Sequence, residues 1–157
     1  MKLTKNFNSS EFACKHCCGK EVFFINHVLK LQRLHDYFTE KYKLSDNFKK
    51  IVVIINSAYR CKRKHKNIYL KMWNKLTEQQ KTKYKSFDDY IPWGSQHLKG
   101  NATDIDVYIV LINGDKIKIK PQEVYEYCDD KFDGLGIYNT FVHCDSRGYK
   151  ARWDERS

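Results

Sequence analysis

A chain of 157 residues and 18.8 kDa is long enough for one domain with its own core and too short for two of ordinary size. Apolar residues make up 41% and charged residues 31%, with seven Gly and two Pro, which excludes a disordered polar chain and a fibrous repeat. Lys and Arg number 29 against 19 Asp and Glu, and the net charge of +10 favours a polyanionic partner such as nucleic acid, anionic lipid or an acidic cell-wall polymer. No apolar run approaches the ~20 residues that a membrane-spanning helix requires, so membrane insertion is not expected. The segment from Met1 to Phe7 lacks the apolar stretch of a secretory signal, which predicts synthesis in the cytoplasm.

In chain order, Asn8-Ser9-Ser10-Glu11 offers helix-capping side chains, and a Cys-rich knot, Cys14-Lys15-His16-Cys17-Cys18-Gly19, reads as a loop. Cys14, Cys17 and Cys18 with His16 form a candidate zinc set, but no second Cys-x-x-Cys partner follows. The expected state of the six cysteines is therefore free thiols or a local staple. From Val22 to about Tyr42, Phe24, Val28, Leu31, Leu34 and Phe38 recur at steps of three and four, predicting a helix with one buried face. Ile51 to Ile55 is β-branched throughout and predicts a central strand buried on both faces, ending at Asn56-Ser57.

The Lys- and aromatic-rich stretch that follows suits one or two helices. Its portion from about 66 to 93 reads as a surface insertion, with Thr77-Glu78-Gln79-Gln80 starting the second helix. Ala102 to Val107 alternates, and Tyr108 to Ile112, Asn113-Gly114 and Lys116 to Ile119 predict a hairpin with a type I′ turn. Pro121 suits a helix start, Val124 and Cys128 share that helix's face, and Gly134-Leu135-Gly136 leads to a last strand around Phe141 to Asp145. Helices and antiparallel strands without βαβ alternation predict a single α+β domain over 1–157, a small antiparallel sheet flanked by helices.

The chemistry concentrates in Ser95 to Asp106. Residues two apart on a strand share a face, so Ala102, Asp104 and Asp106 point one way and Thr103, Ile105 and Val107 the other. Gly100 lets the chain bend so that His97 turns back toward Asp104 and the two share a cation. On the Phe141 to Asp145 strand, Phe141, His143 and Asp145 share a face, which makes His143 the candidate third ligand. Two imidazoles and one carboxylate suit Zn²⁺ and leave a position open for water and substrate.

Three separated segments carry a resemblance: Ile55-Asn56-Ser57-Ala58-Tyr59-Arg60-Cys61; the Ser95, His97, Gly100, Ala102, Asp104, Ile105 series; and Gly136-Ile137-Tyr138 with Phe141-Val142-His143 and Asp145. In this order, over residues 3–153, the chain resembles the zinc D-Ala-D-Ala carboxypeptidase family. That family includes phage endolysin peptidases and shares the Hedgehog/DD-peptidase fold. The resemblance implies that His97, Asp104 and His143 hold Zn²⁺ and that the substrate is a peptidoglycan stem peptide. It places Arg60 against a substrate carbonyl or carboxylate, a role its fixed donor fork suits. Ser95 either hydrogen-bonds substrate or caps the turn. It further implies peptide hydrolysis in which the metal polarises the amide carbonyl and a nearby carboxylate moves the proton.

Two departures from the family pattern stand out. Several branches of the resembled family carry an acidic residue three positions before the last zinc His, where this chain has Thr140. Asp145 is then the first candidate for the base and Asp106 the second, with a ligand-orienting role as the alternative for Asp145. Relatives also run from the arginine motif through His-Asn and a short Gly-rich link; here His65-Lys66-Asn67 and the long stretch to Trp93 intervene, and this insertion is expected beside the site.

The expected activity is a zinc peptidase acting on the bacterial cell wall, phage-encoded and released at lysis or carried by a particle, its charge drawn to anionic wall polymers. Two alternatives stay open. One is a zinc-bearing cell-wall-binding protein without catalysis, and the other is a nucleic-acid-binding module built on runs such as Lys62-Arg63-Lys64-His65-Lys66, which leaves the His97, Asp104 and His143 arrangement unexplained.

Overall fold

The computed structural model describes all 157 residues, Met1–Ser157. A Ser9–Phe12 3-10 turn, closed by a reciprocal Asn8/Glu11 capping box, leads through the Cys-rich loop to helix α1, Ile25–Tyr42. Val28, Leu31, Leu34 and Phe38 form the buried stripe of α1 that their spacing predicts. The helix starts three residues later than expected, and Phe24, which precedes it in extended conformation, is 54% exposed rather than part of the stripe.

Strand β1, Phe48–Ser57, differs from its sequence expectation in two ways. Ile51, Val53 and Ile55 are buried while Val52 and Ile54 are half-buried, so one face packs on α1 and the other is only partly covered. It is also an edge strand and not a central one: the sheet runs β1-β2-β5-β4-β6, and β1 pairs with β2 alone. A β-branched run reports how well side chains fit a pleated face, which an edge strand covered by a helix satisfies equally.

The segment after β1 forms three helices instead of one or two: α2 (Lys62–Trp73), α3 (Glu78–Lys81) and α4 (Phe87–Tyr90). Thr77 caps α3 through the expected capping box with Gln80. Tyr69, Trp73, Tyr84, Phe87 and Tyr90 pack on one another as a partly exposed aromatic cluster.

Strand β2 (Ala102–Leu111) is the spine of the sheet. From Asp104 to Leu111 it pairs antiparallel with β1, its first residues, Ala102 to Ile105, pair with β5 (Val142–Asp145), and Tyr108 to Val110 pair with β3 (Lys116–Lys118). The β2–β3 connection is not the expected type I′ turn, because of its two central residues only Gly114 has positive φ, at 93°. Leu111 N donates to Asp115 O at 2.9 Å and Gly114 N to Leu111 O at 3.0 Å, enclosing the three-residue loop Ile112–Gly114 with glycine in the left-handed position. Helix α5 (Pro121–Cys128) begins on Pro121 and buries Val124 and Cys128 as expected.

The Gly134-Leu135-Gly136 stretch is itself strand β4 (Gly134–Ile137), antiparallel to β5. The chain does not end its sheet at β5: a further strand, β6 (Ala151–Asp154), pairs parallel with β4. The protein is thus α+β, with a six-stranded, mostly antiparallel sheet and five helices. One core joins α1 and α5 to a single sheet face through Val28, Leu31, Phe38, Ile55, Ile105, Val107, Leu135 and Val142. The opposite face carries the polar residues considered next. No helix is long and apolar enough to cross a membrane.

Candidate metal centre

Cross-strand register lays one row of residues over that second face. Ser57 of β1 lies opposite Asp104 of β2, Asp104 opposite His143 of β5, His143 opposite Gly136 of β4, and Gly136 opposite Trp153 of β6. The alternation read from sequence is observed: Ile105, Val107, Val142 and Cys144 enter the core, and Asp104, His143 and Asp145 meet on the other side. His97 arrives from outside the sheet, on a Gln96–Lys99 3-10 turn that ends at Gly100 with φ 78°. That backbone suits glycine, and a side chain there would also strike Val22.

The donor atoms of His97, Asp104 and His143 all lie within 4.8 Å of one another, and all three residues are buried. Asp104 Oδ1 stands 3.3 Å from His97 Nε2 and 2.9 Å from His143 Nδ1. The remaining nitrogen of each imidazole is fixed by a neighbour. His97 Nδ1–H donates to the Ala58 carbonyl at 2.7 Å, and His143 Nε2–H donates to Asp145 Oδ2 at 2.9 Å. Each ring therefore turns its other nitrogen toward Asp104, the arrangement in which outer hydrogen bonds set the tautomer of a metal-binding histidine. Two imidazoles and a carboxylate so placed fit a divalent cation.

The charges are tightly coupled. Burial works to raise the Asp104 pKa, but His97 and His143 hold this carboxyl well below the usual carboxylate range. Burial dominates at His97 and lowers its pKa against the pull of Asp104. At His143 burial also disfavours the charged form, yet hydrogen bonds to Asp104 and Asp145 outweigh it and the pKa rises.

Asp145 stands differently from the role expected of a base. It has no exposed surface, and Arg147 grips it with both ends of its fork, Nε to Oδ1 at 2.8 Å and Nη2 to Oδ2 at 2.6 Å. Against the effect of burial, Arg147 and His143 hold its pKa far below the usual range. A carboxylate this committed orients His143, the alternative the sequence left open. Asp106 is likewise engaged, by Lys118 at 2.8 Å and Asn56 at 3.0 Å. Arg60 donates from Nη2 to Asp104 Oδ2 at 2.7 Å and from Nε to Ser57 Oγ at 2.8 Å, while its backbone N–H donates to the His97 carbonyl at 3.0 Å. Ser95 precedes the 3-10 turn without a side-chain capping bond and lines the cavity instead.

That cavity, of about 490 Å³, has His97, Asp104 and His143 in its wall. Ile68, Tyr69 and Met72 of α2 line it, so the start of the 66–93 stretch lies beside the site. The opposite wall holds Tyr138, Phe141, Arg147, Tyr149 and Trp153. The two strand glycines make room for it: a side chain on Gly134 would collide with the Asp145 carboxylate, and one on Gly136 with the Trp153 indole that lies over His143.

Sequence reasoning missed Arg147, Trp153 and His27. Arg147, two residues beyond Asp145, offered a local signal as a charge pair. His27 offered none: from α1 it bonds Thr103 Oγ1 and Ser146 Oγ, each at 3.0 Å, behind the two site strands. Comparison with family models, curated proteins and solved structures gave no match to this chain, so the chemistry of the site itself carries the functional argument.

Proposed function

We propose that this protein is a zinc-dependent peptidase of the D-Ala-D-Ala carboxypeptidase type, with a Hedgehog/DD-peptidase fold, that hydrolyses peptide bonds of peptidoglycan stem peptides. One observation carries the reading: two buried imidazoles and a carboxylate converge at a cavity, each imidazole with its distal nitrogen already fixed by a hydrogen bond. A zinc ion bound by His97, Asp104 and His143 supplies Lewis acidity toward an amide carbonyl and lowers the pKa of water.

The chain's own groups do the rest. Ala58 and Asp145 hold the ligand rings in place, and Arg147 keeps Asp145 ionised. Arg60, anchored by Ser57, presents its guanidinium at the cavity wall where a carbonyl or carboxylate of the substrate would lie, and Ser95 adds a hydroxyl there. The aromatic walls exclude water from a peptide lying between them. The +10 charge favours approach to an anionic wall, consistent with a phage lysis enzyme acting on the bacterial cell wall.

One observation favours a second reading, a zinc-bearing wall-binding protein without turnover. Asp104, itself a ligand, is the only carboxylate lining the cavity, and Thr140 offers none. Incubation of the zinc-loaded protein with purified peptidoglycan, followed by muramidase digestion and mass spectrometry of the muropeptides, decides between them. The peptidase reading predicts cleaved stem peptides that disappear on chelation and in His143→Ala. Intact muropeptides beside a zinc-loaded, peptidoglycan-bound protein would establish the binder.

A further inference from the structure

The Cys-rich loop does not stand alone in the fold. Cys61, 44 residues beyond Cys17, brings its sulfur to 3.3 Å from that of Cys17, and the sulfurs of Cys14, Cys17 and Cys61 all lie within 4.8 Å of one another. The cluster is separate from the His97 site and does not include His16, which is exposed with φ 57°. Cys18, next in the chain to Cys17, is exposed. The Cys-x-x-Cys-Cys run thus finds in Cys61 the distant partner that the sequence alone does not reveal.

N–H groups surround the sulfurs, although burial, the largest effect at Cys61, pushes its thiol up to about 11. Three N–H groups point at the sulfurs: Cys61 N at Cys14 Sγ (3.3 Å), Lys64 N at Cys61 Sγ (3.4 Å) and Arg63 Nε at Cys17 Sγ (3.3 Å). Cys61 is the N-cap of α2, where the helix dipole favours negative charge. Zinc–sulfur bonds of about 2.3 Å in a tetrahedron place sulfurs about 3.8 Å apart, so only small movements separate this cluster from coordination. No disulfide occupies any of these cysteines.

We propose that Cys14, Cys17 and Cys61 bind a structural zinc ion through three thiolates. Each thiol gives up its proton on binding, and Arg63 offsets the charge of the resulting complex. The ion staples the amino-terminal loop to the segment that carries Ala58 and Arg60, and so fixes the acceptor of His97 and the cation beside Asp104. The proposal is independent of whether the His97 site hydrolyses anything.

Cobalt(II) titration of the reduced full-length protein tests it, because thiolate-to-cobalt charge transfer in the near ultraviolet reports sulfur ligands and is silent for the His97 site. The expected result is an intense band in the wild type that zinc abolishes by displacement, retained in His143→Ala and lost in the Cys17→Ser/Cys61→Ser double variant. In the wild type, zinc should also slow modification of Cys17 and Cys61 by a thiol reagent, a readout that does not depend on any variant folding. Absence of the band in the wild type, its persistence in the double variant, or thiol reactivity unchanged by zinc would overturn the proposal. So would a Cys17–Cys61 disulfide in protein purified without reductant that takes up no thiol-bound metal.

Discussion

Both oxygens of Asp145 are spoken for, one by Arg147 alone and the other by Arg147 and His143 together. Its replacement by Asn leaves the shape intact but removes the charge that holds His143. Asp145→Asn is expected to weaken zinc binding by about 10–100-fold, measured by competition with a chromophoric chelator; unchanged affinity would return Asp145 to the role of base. Gly134→Ala acts on the same carboxylate from the neighbouring strand, and the added methyl group is expected to cost about 1–3 kcal/mol in urea denaturation and to lower zinc affinity together. His27 gives a pH signature. Burial, the largest effect, lowers its pKa from 6.5 to about 3, so the unfolded chain binds the extra proton across this window and stability falls as pH drops through it. Urea melts at pH 7 and pH 4.5 should show a smaller loss in His27→Gln than in the wild type; equal losses would contradict the assignment. The convergence of Asp104, His143 and His97 was legible from two-residue alternation and a glycine bend, since both are local. His27 reaches Thr103 and Ser146 from a distant helix, a contact that no local spacing encodes, whereas Arg147 is only two residues from Asp145.

At the level of elements, α1 is the buttress of the sheet. Leu31 and Leu34 are wholly buried against β1, and Leu31→Ala is expected to cost about 2–5 kcal/mol in chemical denaturation; a loss below about 1 kcal/mol would mean the helix is not seated as described. The periodicity that identifies α1 is strong because one continuous stripe is buried. Short elements were harder to read. Strand β6 is four residues, Ala-Arg-Trp-Asp, half-exposed and parallel to β4, and nothing in its pattern separates it from a loop. Its place is fixed by tertiary contacts: Arg152 to the Asp129 carboxylate at 2.6 Å and Trp153 Nε1 to the Tyr138 hydroxyl at 3.1 Å. Strand β1 was recognisable as a strand but not as an edge, because its β-branched run reflects contact with α1, not the number of neighbouring strands.

Across the whole molecule, a row from β1 to β6 places Ser57, Asp104, His143 and Trp153 side by side, while residues behind that row build the core. The sheet thus does two jobs with one alternation, and the loops at its end add His97 and Arg60. The net charge of +10 favours polyanions in general and selects none, and only the site's donor set narrows the chemistry. The most direct test is crystallography of the zinc-loaded protein with data collected on both sides of the zinc absorption edge. The expected result is an anomalous peak bonded to His97 Nε2, an oxygen of Asp104 and His143 Nδ1, open toward the cavity. A zinc-saturated crystal with no peak among these three side chains would contradict it.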